Sequence, residues 1–331
     1  MVSPRLEDAG WIAFILTYGE SPDRNRRRER VRRSGRIGSS FLMPAPGGRI
    51  AAVDPEEKEK NLFQYLERYR RVVVAFSGGV DSSYLAFCAH RILGNESRAV
   101  TALSPSVSGY QRRLALDFAR RYRLNHTLIE TREMDNPDYA RNPTNRCYFC
   151  KDELYVHLKR LLQEWNAEAI LDGSNLDDIG DYRPGRRASR EQGVLSPFID
   201  VKLSKDEIRS RSLKWGLPTW DLPAMPCLSS RFPYGVAITE EKLQQVDAAE
   251  AYIRSLGVVS FRVRHHEELA RIEVDRTERH KLMDPDLFDD INRKLRALGY
   301  RYVTLDLQSF QSGSLNQVVN LELSSGQSRN T

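Results

Sequence analysis

From residue 54 onward the chain alternates two hydrophobic rhythms. Leu62, Phe63, Leu66 and Tyr69 recur at helical spacing between charged residues, which predicts a helix leading into a core. Short apolar runs follow at 72–76, 99–103, 127–129 and 169–171, each succeeded by an amphipathic stretch. Runs that are apolar at successive positions suit strands covered on both faces, and strand-helix alternation predicts an α/β fold with a parallel, doubly wound sheet. Pro218, Pro223, Pro226 and Pro233 then crowd a segment that cannot be a regular element and marks the edge of this domain. Beyond it Thr239 reads as the N-cap of a helix to about Leu256. Two strands come next, joined through His265, His266, Glu267 and Glu268, with both histidines read as solvent-facing. A helix over 284–298 is bracketed by Pro285 and Gly299, and a strand over 302–307 completes a smaller C-terminal α+β module.

These patterns divide the chain into a leader (1–55), an α/β domain (56–235), a small α+β domain (236–318) and a polar tail (319–331). Composition changes how the charge is read. The 331 residues carry a net charge of +6, which invites a nucleic-acid interpretation because Lys and Arg neutralise phosphates. The first 50 residues, however, hold ten arginines against five acids, and the other 281 hold 41 basic and 40 acidic side chains. The basicity belongs to a leader rich in Arg, Ser, Gly and Pro, predicted to be disordered. It is read as a non-functional extension or a start placed too early, in preference to an RNA- or membrane-binding arm. The nearly neutral body gives no reason to expect nucleic acid. No apolar run is long enough to span a bilayer, and mean hydropathy is −0.55. Four cysteines are too few for a disulfide framework, and the expected compartment is the cytoplasm.

Candidate chemistry starts directly after the first apolar run, with Ser77, Gly78, Gly79, Val80, Asp81 and Ser82. A strand-to-helix loop aims backbone N–H groups and the helix dipole at one point, and two glycines let the backbone approach an anion closely. There is no Gly-Lys-Ser/Thr, so this is not a Walker loop. Cys147 and Cys150 stand three apart at a helix start, where thiolate or an anionic cluster is favoured. A single zinc, a redox pair and an inert pair are the alternatives. Asn175, Asp178 and Asp181 follow the end of the fourth run, where open α/β sheets place ligands. In the second module Arg262 and Arg264 share one face of a strand. Glu250 falls on the inward stripe of the preceding helix, where a charge is costly unless paired or metal-bound. Cys88 reads as a buried core thiol.

The six-residue loop resembles the pyrophosphate loop of the ATP pyrophosphatase superfamily. Three further strings narrow the likeness: Asn145 to Lys151 around the Cys-x-x-Cys, Asp172 to Gly185, and Pro226 to Gly235 around Cys227, Ser230 and Arg231. Together they resemble the LarE family of sulfur transferases over about Leu62 to Asn316, including Gly313, Ser314, Leu315 and Asn316. The resemblance implies adenylation of a carboxylate of pyridinium-3,5-biscarboxylic acid mononucleotide by ATP with Mg2+, followed by replacement of oxygen with sulfur. It implies ATP contacts from Ser77, Gly78, Gly79, Asp81, Ser82, Asn175, Asp178 and Asp181, and places Ser230 and Arg231 beside the activated carboxylate. It implies a substrate phosphate on Arg262 and Arg264, and a divalent metal on Glu250 and Glu273. Family members take sulfur either from the cysteine matching Cys227, left as dehydroalanine, or from a 4Fe-4S cluster on three cysteines, here Cys147, Cys150 and Cys227. The cluster is the expectation retained. A homo-oligomer built through the second module and a sulfur-supplying protein partner are implied as well. The rivals are a tRNA thiolase, which would want a basic groove; an ammonia-using synthetase, which would not need Cys227; and a non-catalytic nucleotide sensor.

Overall fold

A computed structural model describes residues 54–179 and 184–310. Asp181, the Gly313 to Asn316 string, the polar tail and all but the end of the leader lie outside the described residues. The elements follow the order α1 (Pro55–Leu66), β1 (Val72–Ala75), α2 (Val80–Leu93), β2 (Ser97–Leu103), α3 (Gly109–Arg121), β3 (Asn125–Glu130), α4 (Pro137–Ala140), α5 (Arg146–Glu164) and β4 (Ala169–Leu171). Then come α6 (Pro184–Glu191), α7 (Pro197–Asp200), α8 (Lys205–Lys214), α9 (Glu240–Ser255), β5 (Phe261–His266), β6 (Leu269–Val274), α10 (Pro285–Ala297) and β7 (Tyr302–Leu305).

Local chemistry sets the helix starts. Asp54 caps α1 through Glu56 N–H ahead of Pro55 and two first-turn glutamates, which suits both the orphan donors and the helix dipole. Ser108 with Gln111 and Ser204 with Glu207 form reciprocal capping boxes on α3 and α8. Thr239 caps α9, and Asp284 with Pro285 starts α10.

Strands β3-β2-β1-β4 form one parallel sheet in that spatial order. Its alternate faces bury different cores. Val72 and Val74 pack with Leu62, Tyr84 and Phe118, whereas Val73 packs with Tyr155, Leu158 and Ile170. Helices therefore cover both faces, as the continuous apolar runs require. The proline-rich segment holds a single 3-10 turn, Leu228–Arg231. Leu228 and Phe232 bury against Leu243 and Val246 of α9, seating that segment on the second module.

In the second module β5 and β6 are antiparallel and β7 joins β6 in parallel. The histidines differ from expectation. β5 runs on to His266 and the turn falls at Glu267, whose φ is +54°. His265 is 2% exposed, lies against the rings of Phe232 and Tyr300, and shares a 3.2 Å hydrogen bond with the Tyr300 hydroxyl. Burial pulls its pKa down to about 4. Among the described residues no helix is long and apolar enough to cross a membrane.

Candidate functional site

Strand order reverses between β1 and β4, and open α/β sheets take ligands beyond the carboxyl ends of strands at such a reversal. The loop leaving β1 there turns through Gly78 at φ +74°. A Cβ on Gly78 would sit 2.8 Å from the Ala115 backbone of α3, so the loop can lie this close to α3 only without a side chain. Gly79 caps α2 with no side-chain hydrogen bond, which leaves the positive helix end facing the loop. The Ser82 hydroxyl accepts from Ser77 N–H at 3.2 Å, meets the Ser77 hydroxyl at 3.0 Å and donates to Gly79 O at 3.3 Å.

The loop after β4 is locked onto this one. A Cβ on Gly173 would lie 3.0 Å from Ser82 N and 3.1 Å from Asp81 Cβ. Asn175 Nδ2 donates to Asp81 Oδ1 at 3.2 Å, and Asn175 N–H donates to Asp178 Oδ2 at 3.0 Å. Ser77, Gly78, Gly79, Asp81, Ser82, Asn175 and Asp178 are thus brought together. Sequence reasoning missed Lys205, whose ammonium pairs with Asp81 and whose N–H donates to Asp177 at 2.6 Å. It lies 124 positions from Asp81, and only its place at the start of α8 could have flagged it. Lys151, quoted in a motif but given no role, donates to the Tyr155 hydroxyl at 3.2 Å, which donates to buried Asp172 at 3.0 Å. The neighbouring Tyr155 oxygen and then Asp172 hold the Lys151 pKa above the ordinary lysine value against the opposing effect of burial.

Cys147 is exposed, and Cys150 and Cys227 are half-buried. They approach because α4 and the start of α5 are tied to the proline-rich segment. The Tyr139 and Ser229 hydroxyls meet at 2.6 Å, and Asn142 Nδ2 donates to the Pro233 and Val236 carbonyls at 2.7 and 3.1 Å. Burial pushes the Cys150 thiol well up, and Glu133, Cys227 and Cys147 each push the same way. The three thiols therefore share one electrostatic neighbourhood. Buried Glu133, also missed from sequence, accepts from the Ser104, Ser106 and Thr131 hydroxyls. Among the described residues no group of three or more His, Cys, Asp or Glu could hold a metal ion.

The loop carrying Cys227 is held from beneath. Arg231 Nε and Nη2 donate to Glu250 at 2.8 Å each, while Nη1 donates to Pro226 O, Cys227 O and the Ser230 hydroxyl at 2.8, 3.1 and 2.9 Å. Ser230 Oγ donates to Cys227 O at 2.8 Å. Arg231 was expected against a substrate carboxylate; at 4% exposure its guanidinium instead faces Glu250 and the carbonyls around Cys227. Arg264 Nε donates to Glu273 at 2.9 Å and Nη1 to Ser230 O at 2.7 Å. Arg262 donates to Phe261 O at 2.6 Å and to Ala224 O, and its guanidinium lies 4.6 Å from the Phe310 ring centre. Burial pulls the Arg262 pKa down to about 9, with Arg231 pushing the same way.

Glu250 and Glu273, expected on a divalent metal, both carry arginine partners, Glu273 taking Arg271 at 3.0 Å as well. Burial opposes the Glu250 charge, yet Arg231 holds its pKa below the usual carboxylate value. What the arrangement offers chemically is a helix-start loop suited to an anion and a partly exposed thiol on a backbone that Arg231 holds through the Pro226 and Cys227 carbonyls.

No family model matches the chain. An uncharacterised protein from Synechocystis is 44% identical over 264 residues, covering 80% of this chain and 98% of that protein. The pyridinium-3,5-bisthiocarboxylic acid mononucleotide synthase of Lactiplantibacillus plantarum is 36% identical over 267 residues, 79% of this chain and 95% of that enzyme. A glutamine-hydrolysing GMP synthase component from Thermoplasma volcanium is 25% identical over 191 residues, 54% of this chain and 61% of that protein.

Proposed function

The chain belongs to the family of pyridinium-3,5-bisthiocarboxylic acid mononucleotide synthase, the LarE sulfur transferases, and on that premise we propose that it is an ATP-dependent sulfurtransferase acting on pyridinium-3,5-biscarboxylic acid mononucleotide. The observation that carries the proposal is the seating of the phosphate loop at the sheet's reversal, with the β4 loop locked to it through Gly173 and Asn175. In this reading backbone N–H groups at the start of α2, with Ser77 and Ser82, hold the polyphosphate, and Mg2+ or nucleotide contact is assigned to Asp81, Asn175 and Asp178. A carboxylate oxygen of the substrate attacks the α-phosphorus and pyrophosphate leaves. Adenylation turns a poor leaving group into a good one, and sulfur then attacks the acyl carbon as AMP departs. The proposed division at about residue 235 assigns nucleotide handling to the part before it and substrate phosphate and subunit contacts to the part after it.

Arg231, Glu250 and Glu273 are assigned a positioning role. They fix the backbone on both sides of Cys227 and orient Arg264, and no step is routed through a metal on the two glutamates. The substrate-phosphate role implied by the family stays with Arg262 and Arg264, whose guanidinium groups also hold Ala224 O, Ser230 O and Glu273.

A 4Fe-4S cluster held by three thiolates is one source of the sulfur, and what supports it is that Cys150 lies within electrostatic reach of both Cys147 and Cys227. Cys147, Cys150 and Cys227 would hold it and leave one iron open. When bound, the group supplies sulfide for transfer.

The test is to incubate protein, MgATP and the pyridinium biscarboxylate and to measure AMP, pyrophosphate and exchange of oxygen for sulfur in the product. Absence of substrate-dependent AMP overturns the proposal. Protein purified without oxygen is expected to be brown, with about four irons per chain. A colourless, iron-free protein that thiolates once and leaves dehydroalanine at 227 favours the sacrificial cysteine instead.

A further inference from the structure

Helix α3 touches two parts of the site and also helix α9. The Ala115 backbone backs the phosphate loop at Gly78. At its start Gly109 N–H donates to Asp247 of α9 at 3.0 Å. Between these, the Gln111 side chain makes contacts in two directions. Its Oε1 accepts from Ser108 N–H at 3.3 Å and from the Ser108 hydroxyl at 3.1 Å, closing the capping box, while its Nε2 donates to the carbonyl of Met225, two residues before Cys227. On the other side of the cysteine, Leu228 N–H donates to Ser106 O at 2.8 Å. The segment 106–111 therefore brackets Cys227, and the helix it begins lies against the phosphate loop.

A capping box is closed equally well by Glu or Gln, and α8 uses Glu207 at the corresponding position. Glu would leave nothing to donate. The amide N–H of Gln111 is surplus to capping and is accounted for by the Met225 carbonyl.

We propose that Gln111 is a positioning residue of the thiolation step, holding the Cys227 loop at a fixed place relative to the phosphate loop so that sulfur, and not water, reaches the acyl-adenylate. This rests on the function proposed above. In sulfur transfer the new C–S bond replaces the C–O bond to AMP. Water attacking the same carbon restores the carboxylate and releases AMP equally well. A displaced Cys227 loop therefore keeps AMP release and loses sulfur incorporation.

The variant Gln111→Glu keeps the capping acceptor and sets a carboxylate oxygen against Met225 O; Gln111→Ala removes the donor without the repulsion. In both, sulfur incorporated per AMP is expected to fall about tenfold or more, since a misplacement of about 1 Å can cost on the order of 100-fold. The KM for ATP and the rate of substrate-dependent AMP release should stay near wild type. Ser108→Ala, which weakens the cap and leaves the amide donor, should lower the melting temperature and keep the sulfur-to-AMP ratio. A wild-type ratio in both Gln111 variants, or an equal fall in Ser108→Ala, overturns the proposal. Wild-type protein that releases no substrate-dependent AMP would count against the proposed function instead.

Discussion

Arg231 and Glu250 form a two-pronged ion pair with side chains 4% and 3% exposed. Breaking such a pair leaves a buried charge without its partner and costs about 3–5 kcal/mol. Glu250→Ala is accordingly expected to lower the unfolding free energy by an amount in that range, obtained from denaturant midpoint and slope, and a change below about 1 kcal/mol would show that Arg231 finds other partners. His265 sets a pH dependence whose sign follows from its burial. Its folded pKa is about 4 against an ordinary 6.5, so below pH 6.5 the unfolded chain takes up a proton that the native state refuses. Stability attributable to His265 is fully present above 6.5, falls by up to about 1.4 kcal/mol per pH unit, and levels off below 4. Urea midpoints between pH 7 and pH 4.5 should flatten in His265→Phe, and an unchanged slope would assign the acid sensitivity elsewhere.

At the scale of elements, the phosphate loop depends on a strand, a turn and two helices in fixed contact. Gly78→Ala would need φ +74° from a residue with a side chain and would drive Cβ to 2.8 Å from the Ala115 backbone. Strain of about 1–3 kcal/mol at one residue is expected to displace the loop, raise the KM for ATP and cut AMP release about tenfold or more. A kinetically normal variant would mean that α3 yields. Much of this level was legible in the chain, because its signals are local. The runs at 72–76 and 169–171 became buried parallel strands, Thr239 caps the helix it was read to cap, and Asp284 with Pro285 starts the next. What was not legible depends on pairings across long separations. Phe232 and Tyr300 bury His265 from 33 and 35 positions away, Lys205 reaches Asp81, and Glu250 takes the guanidinium of Arg231. No period or cap in the sequence encodes those partners.

Over the whole molecule, charge and chemistry are separated. Five of the six net positive charges belong to the first 50 residues, whereas the sheet reversal, the cysteines and the arginines all fall after residue 70. Deleting residues 1–42 is expected to leave AMP release and thiolation unchanged, and a fall in either would give the leader a part in the reaction. The loop proposed to hold polyphosphate lies at the reversal of the parallel sheet, and Arg262 and Arg264 of β5 donate to the Ala224 and Ser230 carbonyls of the segment carrying Cys227. In the proposed reaction both halves serve one carboxylate, first adenylated and then thiolated. The most direct measurement follows heavy oxygen from a labelled carboxylate of the pyridinium mononucleotide. One labelled oxygen should appear in AMP for each sulfur gained by the product; unlabelled AMP, or sulfur gained without AMP, would contradict the account.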